Sequence, residues 1–388
     1  MARYNHCLIS ERLEMYDLFG ADIDLTNSFF QEQLITYLGN KRSLLEFINR
    51  GIQFVKNKLN KNKIVSMDGF AGSGVVSRLL KMHSGELWTN DLESYSYIVN
   101  KCYLTNKQSI DMYHIKNAMD YLNNLTPDEL QGGFIARNYA PKDDNNIQPK
   151  ERVFYTNRNA RFLDTAKKYI YTNIKESDQC FLLAPLIVEA SIHTNTSGVF
   201  KGFHKKDGIG HFGGSGENAL SRIKANIKLN EPILIDTDCD VHVYQQDINT
   251  LVKQDKVFDI VYYDPPYNQH PYGSNYFMLN ILATKHETVN IQNGVSGIVE
   301  HWNRSAYNKK LQAIDAMDDL IKSTKSKYIL ISYNNEGIIP FDIFKNILEK
   351  YGKVTLLEQD YNTYRGCRNL NSRNIKVKEL LWILEKKD

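Results

Sequence analysis

Several features are scarce or missing in this sequence, and each absence removes a class of protein. The five cysteines are scattered without a CxxC pair, so we expect neither a disulfide framework nor a thiolate metal site. No apolar run approaches membrane-spanning length, and the N-terminus shows no signal-peptide pattern. We therefore expect a cytoplasmic protein with no membrane partner and no bound metal. The formal net charge is only +3, so any surface for nucleic acid must be a local patch.

The remaining composition is that of an ordinary globular protein. The chain has 388 residues, of which 42% are hydrophobic and 24% are charged. This length is enough for roughly two or three domains with a large core. The 24 tyrosines suit both β-sheets and stacking on flat bases. Composition therefore leaves the function open, and the motifs must decide it.

The most informative stretch is a short apolar run, residues 257–263 (VFDIVYY), followed by Asp264, Pro265, Pro266 and Tyr267. The run predicts a buried strand, and the prolines must end it because they lack an N–H donor and fix φ. In open α/β sheets, ligands bind at the carboxyl ends of the strands. At that edge, the acid and the exposed carbonyls can accept hydrogen bonds from the exocyclic amine of a flat base. The tyrosine ring can stack on the same base. A plain strand end followed by a turn is the alternative.

A similar strand-and-turn motif lies earlier in the chain. Residues 63–68 (KIVSMD) predict a strand ending at Asp68, and the glycine turn at 69–74 (GFAGSG) leads into a helix. Such a turn allows the backbone to approach a ligand closely, although a single Gly-x-Gly is a weak signal. Residues 86–90 predict the next strand. Asp91 after it has the position of a ribose-hydroxyl ligand or of a helix N-cap.

Tyr37 and Lys41 lie in a predicted loop before an amphipathic helix, whose apolar stripe runs from position 44 to 59. A ring and an ammonium near a helix N-terminus can hold a ligand that carries a carboxylate. A packing tyrosine and a surface lysine are the simpler interpretation of these two residues. The residues by themselves leave both interpretations open.

The alternation of strands and helices stops near residue 109 and returns near residue 236. The expected fold class is therefore α/β, with one domain built from two parts. We expect these parts to be residues 1–108 and 236–388, interrupted by an insertion at 109–235. The two parts must come together to complete one sheet.

Two basic segments are candidates for contact with DNA. Lys201, Lys205 and Lys206 stand beside phenylalanines in the insertion, and Arg365 and Arg368 stand between the last two predicted strands. Basic side chains interleaved with aromatic rings are typical of nucleic-acid interfaces. A flexible surface loop is an equal alternative for the lysine segment.

Taken in order, these motifs resemble the adenine-N6 DNA methyltransferases of the Dam-like (alpha) class. That class has a lysine-bearing motif, then FxGxG, then a target-recognition insertion, then DPPY, which correspond here to residues 37–41, 70–74, the insertion and 264–267. The resemblance implies a Rossmann-like S-adenosylmethionine-dependent methyltransferase sheet with an inserted target-recognition domain. The run YNNEG at 333–337 and the arginine-rich tail resemble a subgroup associated with restriction–modification systems.

The resemblance also implies S-adenosylmethionine as the methyl donor and assigns residues to its polar groups. Lys41 would pair with the carboxylate of the cofactor, and Tyr37 would line its site. Asp68 would face the amino group, and Asp91 would hold the ribose hydroxyls. Asn40 stands where better-known members have a second glycine, so the loop beside Lys41 departs from the family pattern.

Two further segments are implied to enclose the rest of the cofactor. Phe70, Gly72 and Gly74 would pass under its methionine moiety, where glycines let the backbone come close. Asp247 and Ile248, which follow a predicted strand at 241–245, would bracket its adenine.

The expected chemistry follows from the adenine amine, a poor nucleophile because its lone pair is delocalised into the ring. A base in a duplex must first be flipped out. Tyr267 would stack on it, held by the rigid Pro265 and Pro266. The Asp264 carboxylate and the Pro265 carbonyl would accept the amine protons and turn the lone pair toward the methyl group. No cysteine follows a proline, so no covalent intermediate of the cytosine-C5 type is expected.

The sequence therefore predicts a site-specific adenine-N6 methyltransferase of double-stranded DNA, the protective half of a restriction–modification system, with a separate cognate endonuclease as a possible partner. The alternatives are an RNA adenine or cytosine-N4 methyltransferase, a DNA-binding homologue without chemistry, and a nicotinamide dehydrogenase. The resemblance implies that Asp264, in place of a serine, favours adenine over cytosine-N4. Ser77 stands where a GxGxxG motif would have its third glycine, which disfavours the dehydrogenase.

Overall fold

The computed structural model describes residues 23–217, 219–286, 289–334, 337–362 and 376–387. The strands are β1 (Ile64–Asp68), β2 (Ser84–Asp91), β3 (Lys205–Lys206), β4 (Ile209–Gly210), β5 (Asp240–Gln245), β6 (Phe258–Tyr263), β7 (Ser326–Asn334), β8 (Gly352–Asn362) and β9 (Lys376–Lys386). The α-helices are α1 (Ser28–Gln31), α2 (Leu45–Leu59), α3 (Val75–His83), α4 (Ser94–Tyr103), α5 (Met112–Asn123), α6 (Phe134–Tyr139), α7 (Asn157–Asn173), α8 (Cys180–Ile192), α9 (Leu220–Lys224), α10 (Ile248–Leu251), α11 (Tyr272–Asn275), α12 (Phe277–Ala283), α13 (Lys310–Ser323) and α14 (Phe341–Tyr351). Within these ranges, no helix combines the length and the apolar character needed to cross a lipid bilayer.

Seven of the strands form one sheet in the order β5-β2-β1-β6-β7-β9-β8. The strands from β5 to β7 are parallel, and β9 runs antiparallel to both of its neighbours. The chain moves from β1 outward to β2 and β5, and then returns to place β6 on the other side of β1. The strand order therefore reverses between β1 and β6, the place where open α/β sheets bind ligands.

The strands expected from the sequence at 63–68, 86–90, 241–245 and 257–263 are confirmed as β1, β2, β5 and β6. Their ends differ from the predicted ends by one or two residues. Every residue of β6 is buried, as a parallel strand covered on both faces requires. The central α/β sheet is therefore as the sequence predicted.

The amphipathic helix expected at 44–59 is α2. Its apolar stripe buries Ile48, Ile52 and Val55 against the sheet. The helix ends at Asn60, which adopts a left-handed conformation with φ of 52°. Asparagine tolerates this conformation better than most residues and commonly ends helices in this way. The loop that carries Lys41 is thus anchored to the core through α2.

The insertion at 109–235 is largely helical, from α5 to α9, with the short β3–β4 hairpin. Helix α8 is apolar on all sides and almost wholly buried, as expected of a helix in the centre of a core. One hydrophobic core joins Leu163 of α7 and Leu186 of α8 to Val99 of α4 and Phe277 of α12. The core therefore crosses the domain boundaries that we expected at 109 and 235.

This shared core predicts a stability effect at Leu186, whose side chain is fully buried. Leu186→Ala leaves a cavity between α8 of the insertion and the helices α4 and α12, and should lower the free energy of unfolding by about 2–5 kcal/mol. Urea denaturation followed by circular dichroism measures this loss. Leu311→Ala is the matched control, because Leu311 on α13 is 90% exposed. A loss of stability no larger than that of the control would contradict the shared core.

Candidate active site

A cleft opens at the carboxyl ends of β1 and β6, the switch point of the sheet. Its position is typical of a site for a small-molecule ligand. The cleft is lined by nearly all of the residues that the sequence assigned to catalysis or cofactor binding: Tyr37, Lys41, Asp68, Phe70, Gly72, Asp91, Asp247, Ile248, Asp264, Pro265, Pro266 and Tyr267. Residues from distant parts of the sequence thus meet in one cavity.

The glycine turn after β1 forms one wall of this cleft. The Gly69 amide donates to the Tyr262 carbonyl on β6 at 3.0 Å, which holds the turn against the neighbouring strand. Gly72 has a left-handed φ of 52°, and a Cβ there would lie 2.9 Å from the Tyr37 ring. The turn therefore needs glycine at this position, both for its conformation and for its closeness to Tyr37.

Gly74 does not line the cleft. Among the described residues, it is the one candidate for catalysis or cofactor binding that lies outside the lining. It precedes α3 with a left-handed φ of 77°, and a Cβ there would lie 2.6 Å from Asn100 Oδ1. Its role in the structure is to start α3 while packing against α4. Nothing in the geometry brings it to the cavity.

Asp91 lies at the end of β2 and faces the cleft. Its Oδ2 accepts from the Gly72 amide at 2.7 Å, and its Oδ1 accepts from the Glu93 amide at 2.9 Å. Burial raises the pKa of Asp91, and these hydrogen bonds oppose that shift. The alternative interpretation of Asp91 as a helix N-cap is wrong, because the N-cap of α4 is Glu93.

Asp68, the last residue of β1, is buried at the floor of the cleft. Its Oδ2 accepts from the Ser77 hydroxyl at 2.6 Å, while Oδ1 has no hydrogen-bonding partner among the described residues. Burial raises the pKa of Asp68 to about 7, and the Ser77 hydrogen bond opposes the rise. A buried carboxylate with an unpaired oxygen at a cavity wall can accept from a ligand's amino group.

Asp264, directly after β6, is paired with Lys41. The ammonium of Lys41 lies 3.1 Å from Asp264 Oδ1 and 5.5 Å from the centre of the Tyr267 ring. Burial raises the pKa of Asp264 to about 6, although the neighbouring Lys41 lowers it. The Tyr267 ring also packs edge-on against Tyr333 at 6.1 Å. The acid and the ring that the sequence singled out are thus held side by side at the strand end.

The second partner of Lys41 is Glu379 on β9, at 3.1 Å. The sequence implied that Lys41 would pair with a cofactor carboxylate, and that role stays a prediction. What the structure adds is that its ammonium already contacts two carboxylates of the chain. Sequence reasoning missed Glu379, although an acid beside the apolar run LLWIL of a predicted strand is a signal of a buried charge.

Glu93 is a further carboxylate in the cleft that the sequence did not single out. It accepts from Asn280 Nδ2 at 2.6 Å and lies 3.5 Å from Asn303 Nδ2. Burial raises its pKa to about 7, and the Asn280 hydrogen bond opposes this. Within the described residues, no group of three or more His, Cys, Asp or Glu side chains is arranged to hold a metal ion.

Stacked tyrosines pack against the loop that carries Lys41, at one side of the cleft. The ring of Tyr37 stacks on Tyr272 at 4.9 Å and on Tyr276 at 5.0 Å. The Leu38 amide donates to the Tyr276 hydroxyl at 2.8 Å, and the Tyr272 hydroxyl donates to the Leu38 carbonyl at 3.0 Å. These contacts fix the loop that carries Lys41. The packing-tyrosine interpretation of Tyr37 is therefore right, and the residue lines the cleft as well.

Asp247 and Ile248 lie on the opposite side, after β5. The Asp247 side chain caps α10 by accepting from the Thr250 amide at 3.2 Å, and Ile248 is buried beneath the cleft wall. Phe70 packs edge-on against Tyr307 at 5.2 Å. Ile248, Phe70 and Tyr307 thus supply an apolar and aromatic part to a cavity whose charged lining is mostly acidic.

The candidate DNA-binding residues do not line this cleft. Lys205 and Lys206 form the exposed β3, with the Lys205 ammonium 5.1 Å from the centre of the Phe203 ring, and Lys201 is half-buried nearby. Arg365 and Arg368 lie outside the described residues. The DNA-contacting role of all five therefore stays a prediction.

Comparison with known proteins agrees with this geometry. Residues 37–347 match the model of the D12 class N6 adenine-specific DNA methyltransferases. The chain is 32% identical to the type II methyltransferase M.NlaIII of Neisseria lactamica, over 91% of this chain and 99% of that protein. It is 27% identical to the type II methyltransferase M.CviAII of Paramecium bursaria Chlorella virus 1, over 86% and 93%. It is 29% identical to the modification methylase StsI of Streptococcus sanguinis, over 90% of this chain but 52% of that protein.

The family match spans most of the chain and includes both strand ends that form the cleft. The relatives are aligned over almost the whole of this sequence. The chain therefore belongs to the D12 class N6 adenine-specific DNA methyltransferases.

Proposed function

We propose that this protein transfers the methyl group of S-adenosylmethionine to the N6 atom of an adenine flipped out of duplex DNA. In this proposal it acts as the protective half of a restriction–modification system, with a separate endonuclease as its partner. The observation that carries the proposal is the meeting of the Asp264–Tyr267 motif and the glycine turn of β1 in one cleft. The names of the relatives, type II methyltransferases and a modification methylase, support the protective role.

The chemistry of the cleft fits S-adenosylmethionine, which when bound supplies an electrophilic methyl group on a sulfonium. Among the described residues that line the cleft, Lys41 is the one cationic side chain and the other charged side chains are acidic. Asp68, with its unpaired buried oxygen, is proposed to accept from the amino group. Asp91 is proposed to accept from the ribose hydroxyls, and Asp247 with Ile248 to bracket the adenine. An acidic cavity suits a cofactor with two cationic centres.

At the other end of the cleft, this chain's residues are proposed to hold the target base. Flipping an adenine out of a duplex costs a few kcal/mol, about what stacking on an aromatic ring returns. Tyr267 offers that ring, and Pro265 and Pro266 keep it from turning away. Asp264 and the Pro265 carbonyl are proposed to accept hydrogen bonds from the two N–H groups of the amine, and Asp264 to take the single proton that the amine loses as the methyl group is transferred. The lone pair then points at the methyl group, so placement and hydrogen bonding do most of the catalysis.

Contacts outside the cleft are proposed to hold the DNA backbone. Lys205 and Lys206 are exposed on a hairpin of the insertion, where ammonium groups can reach phosphates. Lys201 is proposed to act with them, and Arg365 and Arg368 to contact phosphate from the segment between β8 and β9. Such contacts position the duplex without specifying its sequence.

The role of Asp264 predicts the effect of Asp264→Ala. Losing the carboxylate that accepts the amine proton should lower methyl transfer to duplex DNA by at least about 100-fold, as for other preorganised groups of this kind. The fold should persist, because Glu379 still neutralises Lys41. Nucleoside analysis for N6-methyladenine measures transfer, and calorimetry should give a cofactor Kd within about tenfold of wild type.

Asp255→Ala is the matched control for this variant, since Asp255 is almost fully exposed and does not line the cleft. Structured RNA is assayed beside the duplex, because preferential methylation of RNA would favour the RNA alternative. Full activity of Asp264→Ala on DNA would contradict the proposed function of the site.

The role of Asp91 predicts weaker cofactor binding in Asp91→Ala. A hydrogen bond to a charged group contributes about 1.5–3 kcal/mol, so the Kd should rise about 10- to 100-fold. Calorimetric titration with S-adenosylmethionine measures this change. Asp240→Ala, at the exposed start of β5, should leave the Kd unchanged. An unaltered Kd in Asp91→Ala would remove this residue from the cofactor site.

The raised pKa of Asp264, about 6, predicts the pH dependence of the reaction. The carboxylate accepts protons only when ionised, so kcat/KM for DNA should fall as the pH drops through about 6, by about tenfold per pH unit below it. Rates at saturating cofactor across the acid range measure this limb. The cofactor Kd is measured over the same range, because protonation of Asp68 near pH 7 weakens binding separately. A flat kcat/KM profile through pH 6 would show that no ionised Asp264 is needed.

A further inference from the structure

The environment of Lys41 contains one more charged group than ion pairing requires. The Lys41 side chain is only 5% exposed, and its ammonium lies 3.1 Å from Asp264, which by itself would neutralise it. Glu379, only 3% exposed, lies at the same distance. Burying a second carboxylate costs desolvation energy without being needed for the pair. Such a costly group beside a reacting carboxylate is a candidate for a role in function.

Glu379 is also held more firmly than a compensating charge needs to be. It lies in the interior of the sheet, on β9, where it pairs with Asn334 of β7 and Gln359 of β8. Its Oε1, the same atom that contacts Lys41, accepts from the Ser332 hydroxyl at 2.7 Å. Pairing with β7 and β8 and the hydrogen bond from Ser332 thus fix Glu379 Oε1 beside the Lys41 ammonium.

We propose that Glu379, held by Ser332, is a positioning residue that shares the charge of Lys41 and so leaves the Asp264 carboxylate available to accept from the adenine amine. With one acceptor, a buried ammonium would be bound by Asp264 alone, and the carboxylate would be a weaker base. With two carboxylates beside the ammonium, its charge is divided between them. The inference rests on the proposed function, because the role of Asp264 is part of it.

The electrostatics around Asp264 agree with this arrangement. The titratable side chains that face it from the surrounding elements are Lys41, Asp68, Tyr262, Tyr272 and Glu379. After burial, Glu379 is the neighbour that raises the pKa of Asp264, against the lowering effect of Lys41. Glu379 therefore brings the acceptor closer in basicity to the operating pH, where general-base groups are most effective.

The test is Glu379→Gln, which keeps the shape of the side chain and removes its charge. We expect kcat on duplex DNA to fall by about tenfold or more, and the acid limb of kcat/KM to move to lower pH by about half a unit or more, because Asp264 loses its acidic neighbour. KM for DNA and the cofactor Kd should stay within about twofold. Glu358→Gln is the matched control: Glu358 also lies in the sheet, but its ion pair with Lys378 is on the surface.

A folded Glu379→Gln protein with the kcat and the acid limb of the wild type would overturn the inference. A loss of kcat together with a loss of cofactor binding and an unshifted acid limb of kcat/KM would also overturn it, because that pattern marks a purely structural residue. If Glu379→Gln does not fold, Ser332→Ala decides: it keeps both charges and should shift the limb in the same direction by less. An unchanged profile in Ser332→Ala would then overturn the inference. Wild-type protein that methylates no duplex DNA would instead refute the proposed function itself.

Discussion

The parallel pairing of β1 with β6 is the constraint on which the rest of this structure depends. Asp68 lies beside Tyr262 in the register of these strands, and the Gly69 amide bonds back to the Tyr262 carbonyl. Because both strands run in the same direction, their carboxyl ends open at one edge of the sheet. The glycine turn and the Asp264–Tyr267 motif are therefore neighbours in space, although the whole insertion separates them in the sequence. A change of register would separate the two halves of the site.

Charge is distributed in the cleft according to what can be neutralised there. The buried carboxylates Asp68, Asp91 and Glu93 depend on hydrogen bonds from hydroxyl, amide and backbone groups, and burial raises the pKa of each. Asp264 alone among the cleft carboxylates is paired with a lysine, which is itself shared with Glu379. The acidic side chains Asp68, Asp91 and Glu93 are thus available to cationic ligand groups, while Asp264 already has Lys41 as a counter-ion. Such a division suits a site that binds two different molecules.

The insertion contributes to the site through packing. Its central helix α8 is buried against α4, which begins directly after Asp91, and against α12, which follows the Asp264–Tyr267 motif. The stacked rings of Tyr37, Tyr272 and Tyr276 connect this core to the loop of Lys41. A segment whose expected task is target recognition therefore also holds the walls of the catalytic cleft in place. Its core and the catalytic sheet stabilise each other.

Local sequence is sufficient to specify the elements whose cause is local. An apolar run ended by two prolines must be a strand with a fixed corner, and β6 with Asp264–Tyr267 is that element. The same local rules specify the glycine turn between β1 and α3, Asp91 at the end of β2 and Asp247 after β5. The candidate cofactor-binding residues of these segments line the cleft, except Gly74. Their order along the chain was enough to indicate the family, which the comparisons confirm.

The contacts that join distant segments depend on how the whole chain packs. Glu379 meets Lys41 only because β9 inserts between β7 and β8, and no local pattern specifies that strand order. In the same way, Gly74 packs closely against α4, and the N-cap of α4 is Glu93 rather than Asp91. Local sequence sets backbone conformation and burial through short-range sterics and periodicity. Which buried charges become partners depends on the energy of the whole packed sheet, where desolvation makes every unpaired charge costly.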